Sequence, residues 1–172
     1  MNTIVVYNSK TGFTRRYGEW IAQELGCRVM PLKQATYSDC DVILYGGWLM
    51  AGKVAGLNKI KTNPEVRAKK LIVYATGLTE MGNSEAIEKI RNDNLTASEQ
   101  MDIPFYYFEG GINYETMGYF SKNLLKMLSK SLAKKKDRTE ADTNMMKALA
   151  SSTDHSDQAY IKPLIEYMEG LQ

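Results

Sequence analysis

Ile4-Val5-Val6-Tyr7-Asn8-Ser9-Lys10-Thr11-Gly12-Phe13-Thr14 passes from a continuous apolar run, through a hydroxyl-rich loop, into helical spacing at Tyr17, Trp20, Ile21 and Leu25. An unbroken run suits a strand covered on both faces better than an alternating one would, so Ile4–Tyr7 reads as a buried parallel strand. The loop after it offers three hydroxyls, one glycine and the free N–H groups of a helix start. A helix N-terminus carries roughly half a positive charge, and with those donors it makes a cradle for phosphate. The loop has one lysine and neither the GxxxxGK[ST] form of a nucleoside triphosphatase nor a GxGxxG, which leaves a monophosphate as the best fit. Read alone, the same residues also serve as a helix cap with no ligand.

Working outward, further near-continuous runs lie at Val42–Tyr45, Leu71–Ala75 and Phe105–Phe108, with a shorter strand at Cys27–Pro31 on an edge where Pro31 is tolerated. Helical spacing recurs at Ala86, Ile87 and Ile90 after the polar start Asn83-Ser84, and at Tyr119, Leu124, Leu125 and Leu128. Lys53–Val66 is expected to hold the remaining crossover helix, shortened by Gly56 and Pro64. Ile161, Leu164, Ile165, Met168 and Leu171 form one face of a closing helix with Pro163 in its first turn. Residues 129–156 interrupt the alternation; Met145–Leu149 reads as a short extra helix, and Thr139-Glu140-Ala141-Asp142 has capping-box spacing. The expectation is an α/β doubly wound, five-stranded parallel sheet in the order 2-1-3-4-5 with helices on both faces. At 172 residues it is expected to be one domain, 1–172.

Composition excludes several function classes. No apolar run reaches the ~18 residues of a membrane helix, and Met1-Asn2-Thr3 enters the first strand without a signal-peptide order, so a soluble, cytoplasmic protein is expected. Cys27 and Cys40 are too far apart for a CxxC pair and have no histidines near them, which suggests reduced structural thiols and no metal site. The single histidine, His155, lies in a polar stretch and reads as a solvated loop residue, so no catalytic residue is assigned. Lys122, Lys126, Lys130, Lys134, Lys135, Lys136 and Arg138 form a basic run that is either the solvated face of a helix or a docking patch for an anionic partner or lipid surface. It has no interleaved aromatics, and nucleic-acid binding is not expected. The paired acids of a metal-assisted phosphorylation site do not follow the first strand.

In open α/β sheets, ligands bind beyond the carboxyl ends of the strands where the strand order reverses, here between the first and third. The third strand runs out into Gly46-Gly47-Trp48-Leu49-Met50-Ala51-Gly52. Its glycines allow close backbone approach to a ring, and Trp48 either offers a flat apolar face there or fills the core. The fourth strand ends in Thr76-Gly77-Leu78, a third rim loop. A phosphate loop, an aromatic face and a third loop together suit flavin mononucleotide.

Val5 through Thr14 resembles the N-terminal signature of the flavodoxin superfamily, with Gly18 where flavodoxins usually have alanine. The resemblance implies that Ser9, Lys10, Thr11, Gly12, Phe13 and Thr14 bind the FMN phosphate through hydroxyls and backbone amides. Phe105-Tyr106-Tyr107-Phe108-Glu109-Gly110-Gly111-Ile112-Asn113-Tyr114, the lysine-rich helix, the acidic-polar loop and the Pro-Leu-Ile-Glu helix are similar to one branch, the flavodoxin-domain proteins related to bacterial menaquinone-dependent protoporphyrinogen oxidase. That likeness covers essentially the whole chain. It implies that Gly47, Trp48, Leu49, Met50 and Ala51 face the isoalloxazine and that Thr76, Gly77 and Leu78 line its other side. Thr76–Gly82 departs from the small electron carriers in having no aromatic and only Glu80 as an acid. The chain is also slightly basic where the carriers are strongly acidic, which points to a higher flavin potential. The implied function is an FMN-binding oxidoreductase or electron-transfer protein acting with a redox partner protein or a quinone. Two alternatives stand beside it: a quinone-linked protoporphyrinogen oxidase whose Lys122–Arg138 run meets an anionic membrane, and a flavin-free binding or regulatory module.

Overall fold

The computed structural model describes residues 1–116 and 118–171, except the side chains of residues 119–121, 124 and 148. The expected contributions of Tyr119, Phe120 and Leu124 therefore lie outside the described residues. The chain begins with β1 (Thr3–Asn8), α1 (Phe13–Leu25), β2 (Arg28–Pro31) and β3 (Val42–Met50). Next come β4 (Lys53–Val54), α2 (Leu57–Lys61), α3 (Pro64–Arg67), β5 (Lys70–Gly77), α4 (Ser84–Asn94), α5 (Glu99–Asp102) and β6 (Phe105–Glu109). It ends with β7 (Gly111–Ile112), α6 (Tyr119–Lys134), α7 (Glu140–Ala148), β8 (Thr153–Asp154) and α8 (Lys162–Glu169).

Five parallel strands lie in the order β2-β1-β3-β5-β6, which is the expected 2-1-3-4-5 order counted along the parallel strands alone. Successive residues of a strand face opposite sides of the sheet, and the apolar runs fill both. Ile4, Val6, Ile43, Tyr45 and Val73 pack against Leu57, Ile60, Val66 and Ile90 of α2, α3 and α4. Val5, Leu44, Ile72, Tyr74 and Phe108 pack against Tyr17 and Ile21 of α1 and Leu164 and Met168 of α8. Pro163 sits in the first turn of α8, as expected. Among the described residues, no helix is long and apolar enough to cross a membrane.

The structure corrects two expectations. β3 does not stop at Tyr45 but continues through Gly46 and Gly47 to Met50, so that Trp48 stands within the strand, in register with Thr76 of β5. The chain then reverses at Ala51 and Gly52, with φ of 49° and 77°, and returns as the antiparallel strand β4. Positive φ at both central residues gives a two-residue hairpin the twist its strands need. The expected helix over Lys53–Val66 is replaced by β4 and two short helices. Gly56, at φ 85°, starts α2, and Pro64 opens α3 behind Asn63, whose side chain accepts from the Glu65 N–H.

Between β7 and β8 the chain makes an excursion, residues 113–152, that carries α6 and α7 and is closed at its neck by the antiparallel pair Gly111–Ile112 and Thr153–Asp154. The capping box is present: Thr139 Oγ1 accepts from the Asp142 N–H at 3.1 Å, and Asp142 Oδ2 accepts from the Thr139 N–H at 2.9 Å. The Lys135 ammonium at 2.7 Å from Asp142 Oδ2, with the Thr139 N–H, holds this carboxyl at about 2. A carboxyl depressed in the folded state stabilises it above the ordinary aspartate range, and that contribution is lost as the pH falls through the folded value. Helicity of α7 is therefore expected to decrease between pH of about 4 and 2, and Asp142→Asn should remove that step from an acid titration followed by circular dichroism or carboxyl chemical shifts.

Candidate functional site

Asn8 ends β1 and Phe13 begins α1, so Ser9, Lys10, Thr11 and Gly12 span the turn at the carboxyl edge of the sheet. Gly12 has φ 100°, a conformation that L side chains rarely adopt, although a Cβ there would meet nothing within 4 Å. It caps a helix of 13 residues with no side-chain acceptor and no acid in the first turn. The first amides of α1 are thus without a capping group among the described residues, while Ser9 and Thr11 are half-buried beside them and Lys10 is exposed. Ser9 Oγ accepts from the Gly12 N–H at 3.2 Å and keeps the loop closed.

Phe13 and Thr14 turn their side chains inward. Phe13 is buried with the Arg16 guanidinium 5.4 Å above its ring, and it packs on Gly110 and Gly111, where a Cβ on Gly111 would come 2.8 Å from Phe13 Cζ. The buried hydroxyls of Thr14 and Thr76 meet at 2.7 Å, joining the first turn of α1 to the end of β5. Below them the Tyr74 hydroxyl donates to the Thr14 carbonyl at 3.1 Å. Tyr74 is fully buried, and burial raises its phenol far above the usual tyrosine range, so it stays protonated and keeps donating. Thr14→Val or Thr76→Val alone is expected to cost about 1 to 2 kcal/mol, because each leaves a buried hydroxyl without its partner. The double variant should lose less than the sum, which a denaturant-unfolding cycle would measure.

Trp48 and Leu49, both half-buried, project to opposite faces of β3. On the α1 side, the Lys10 ammonium lies 5.1 Å from the Trp48 ring centroid. On the other side, Leu49 touches the backbone of β5's end: a Cβ on Gly77 would be 2.9 Å from Leu49 Cδ1. Gly47 is overlaid by the returning chain, where a Cβ would come 2.5 Å from Val54 Cγ1. Met50, exposed, and Ala51 sit at the hairpin tip, farther out than Gly47, Trp48 and Leu49. Asn94 of α4 anchors that tip, accepting from the Val54 N–H at 2.8 Å and donating to the Gly52 carbonyl at 2.8 Å. The Ala55 carbonyl accepts from Tyr45 Oη at 2.6 Å and from Asn8 Nδ2 at 3.3 Å, tying β1 to the same return.

The segment after β5 is stapled from β6. Tyr107 Oη accepts from the Thr79 N–H at 2.9 Å and donates to the Thr79 carbonyl at 3.0 Å, and Glu109 Oε2 accepts from the Met81 N–H at 3.0 Å. Thr76 and Gly77 are thereby fixed beside Thr14 and Leu49, while Leu78 turns into a cleft of about 750 Å³ between this segment and α6 and α7. Leu78 is the one expected site residue that lines it; Glu80, Leu128, Met145 and His155 are among the others. His155 is exposed, as expected, yet it is placed: its backbone N–H donates to the Gly110 carbonyl at 2.9 Å and Nδ1 is 3.9 Å from Glu109 Oε1. Burial pushes the Cys27 thiol up to about 11, consistent with a structural thiol remote from the rim.

Sequence reasoning did not identify Asn8, Tyr74, Tyr107 or Arg16 as supports of this rim. Tyr74 and Tyr107 sit inside apolar runs, where a hydroxyl with a partner across the sheet leaves no periodic signal. Arg16 bonds Asp154 Oδ2 at 2.6 Å and Ser156 Oγ at 2.7 Å, about 140 residues away in the chain.

The family model described as a flavodoxin domain matches residues 4–140. No curated protein matches. Among solved structures, a flavodoxin, WrbA-like protein from Agrobacterium tumefaciens is 16% identical, with 62% of this chain and 82% of that chain covered and a TM-score of 0.37. A flavoprotein in complex with FMN from Lactobacillus acidophilus NCFM is 16% identical, with 63% and 91% covered and a TM-score of 0.41. A putative flavoprotein from Bacteroides uniformis is 14% identical, with 67% and 94% covered and a TM-score of 0.42.

Proposed function

Since this chain belongs to the flavodoxin-domain family, we propose that it binds FMN and serves as a flavin-dependent oxidoreductase or electron carrier. The observation that carries this reading is the uncapped start of α1 beside the half-buried hydroxyls of Ser9 and Thr11, at the carboxyl edge between β1 and β3. Those groups fit a dianionic phosphate: donors are present, and no acid lies in the loop or the first helical turn. Ser9 and Thr11 would hold it by hydroxyl and amide, and Lys10, Gly12, Phe13 and Thr14 by backbone N–H, since the Phe13 and Thr14 side chains are buried. Gly47, Trp48, Leu49, Met50 and Ala51 would flank one side of the isoalloxazine, and Thr76, Gly77 and Leu78 the other. FMN, when bound, supplies the capacity to accept and release electrons, and the protein supplies position and field. The Thr14–Thr76 pair and the Tyr107 staple hold the Thr76–Thr79 segment in place beside the start of α1.

The test is a titration of apo-protein with FMN and with riboflavin, followed by flavin fluorescence. FMN is expected to bind at least about tenfold more tightly, a difference of about 1.4 kcal/mol. Equal affinities would remove the phosphate from the reading, and binding of neither would favour the flavin-free module acting through the same rim.

A second reading, quinone-linked protoporphyrinogen oxidation at an anionic membrane, is favoured by α6. Lys126, Lys130 and Lys134 are exposed one turn apart along it, and Met127 beside them is 68% exposed. It predicts protoporphyrinogen oxidation with quinone as acceptor and binding to anionic vesicles that weakens with salt.

A further inference from the structure

Lys10 is the sole cation of the Ser9–Thr14 loop, and its ammonium rests over the ring of Trp48, 5.1 Å from the centroid. The loop follows β1 and the ring belongs to β3, so this contact bridges the phosphate loop and the strand that walls the ring site. An ammonium over an indole face is held there by the ring quadrupole, more firmly as water is excluded. Among the described residues, no carboxylate pairs with Lys10. Nor do the flanking segments supply one: residues 9–14, 46–52 and 76–79 contain no Asp or Glu.

The nearby acids are engaged elsewhere. Glu80 accepts from Asn144 at 3.3 Å, Asp93 near the hairpin tip pairs with Lys89 at 2.6 Å, and Asp154 pairs with Arg16 at 2.6 Å. Glu109, at the end of β6, accepts from the Met81 N–H, so among the described residues the rim between β1 and β3 carries the Lys10 charge with no carboxylate paired to it, at a place fixed by Trp48.

We propose that Lys10, positioned by Trp48, raises the reduction potential of the flavin bound at this rim; the proposal rests on the FMN reading above. Two-electron reduction of the oxidised ring with uptake of one proton from water adds one negative charge to it. A fixed cation at the rim stabilises that anionic product over the neutral oxidised ring, an attraction that weakens as salt screens it. By linkage, raising the potential means that binding of reduced flavin gains relative to binding of oxidised flavin. Trp48 enters as a positioning residue, acting on the potential by holding the ammonium.

The experiment is an anaerobic potentiometric titration of FMN-loaded wild type, Lys10→Met, Lys10→Arg and Trp48→Leu, with dithionite as electron donor, beside FMN and riboflavin affinities of each. Lys10 is exposed, so its replacement leaves the core untouched. Lys10→Met is expected to weaken binding of reduced relative to oxidised FMN about tenfold, a fall of about 30 mV for a two-electron couple. Lys10→Arg should retain most of the wild-type potential. Trp48→Leu should lower the potential in the Lys10 background and have a smaller effect in Lys10→Met. An unchanged potential in Lys10→Met, with or without a loss of preference for FMN over riboflavin, overturns the proposal; with that loss, the ammonium serves the phosphate instead. A wild type that binds neither flavin overturns the cofactor reading and this proposal with it, whereas tight FMN binding with no shift in Lys10→Met overturns this proposal alone.

Discussion

Gly46→Ala is expected to destabilise the protein by about 3 kcal/mol or more, the upper end for overpacking in a rigid core. Gly46 lies in β3 with β1 and β5 hydrogen-bonded on either side, in register with Tyr7 and Tyr74. The Tyr74 ring leans across it so closely that a Cβ would fall 1.9 Å from Tyr74 Cζ and 2.2 Å from the hydroxyl. Neither party can yield. The strand is fixed by two ladders, and the ring is wedged against Phe108, at 5.6 Å between centroids, with its hydroxyl on the Thr14 carbonyl. Gly18 above the same phenol provides an internal control, because a Cβ there would approach the Tyr74 hydroxyl alone within 3 Å, at 2.7 Å. Tyr74→Phe should therefore rescue Gly18→Ala and fail to rescue Gly46→Ala, where the ring itself is struck. Gly82→Ala, with nothing within 4 Å, should be near neutral. Midpoints of urea unfolding for these variants would measure the series, and a cost for Gly46→Ala no larger than that for Gly82→Ala would refute the packing argument.

The parallel order of the five strands was legible because buried parallel strands write continuous apolar runs and right-handed crossovers leave few topologies. The Asn83 start of α4, the Thr139–Asp142 capping box and the Pro163 start of α8 were legible because each is a local solution to unpaired helix amides. From the sequence, Gly46-Gly47 belongs to a rim loop and serves close approach to a bound ring; in the structure both glycines lie within β3 and the close approach is made by Tyr74 on one face and by Val54 and Ala55 on the other. A glycine that makes room for the protein's own ring looks, in one dimension, the same as one that makes room for a ligand. Gly18 is similar: the alanine usual in flavodoxins would collide with the Tyr74 hydroxyl, so the substitution belongs with Tyr74, across the fold. The hairpin at Ala51-Gly52 was missed because alanine at φ 49° is not a turn signal. The two-residue strands β7 and β8 are too short for any periodicity to reveal.

Those two short strands nevertheless control the excursion, and Gly111→Ala is expected to open it at a cost of about 2 to 3 kcal/mol. A Cβ on Gly111 would fall 2.0 Å from the Thr153 carbonyl oxygen and 2.8 Å from Phe13 Cζ, so β8 would have to leave β7 or the chain would have to push Phe13 out of the core. Gly110 next to it would place a Cβ 3.3 Å from Phe13 Cβ, a contact that a small shift relieves, and Gly110→Ala should be the milder variant. Opening the neck also strains the groups that hold it to α1: Arg16 to Asp154 and Ser156, and Tyr17 Oη, which accepts from the Asp157 N–H at 3.1 Å. The sheet does not depend on the neck, because β1, β3 and β5 are paired independently of it. Hydrogen exchange on Gly111→Ala should therefore show protection lost across residues 111–154 and kept in the central strands, whereas a uniform loss would mean that the neck and the sheet unfold as one unit. Because Phe13 is both the first residue of α1 and the ring against Gly111, the same variant should also weaken the proposed FMN binding, by displacing Phe13 and with it the backbone N–H assigned to the phosphate. Unchanged FMN affinity alongside a released excursion would show that the phosphate loop is held by β1 and the Thr14–Thr76 pair alone.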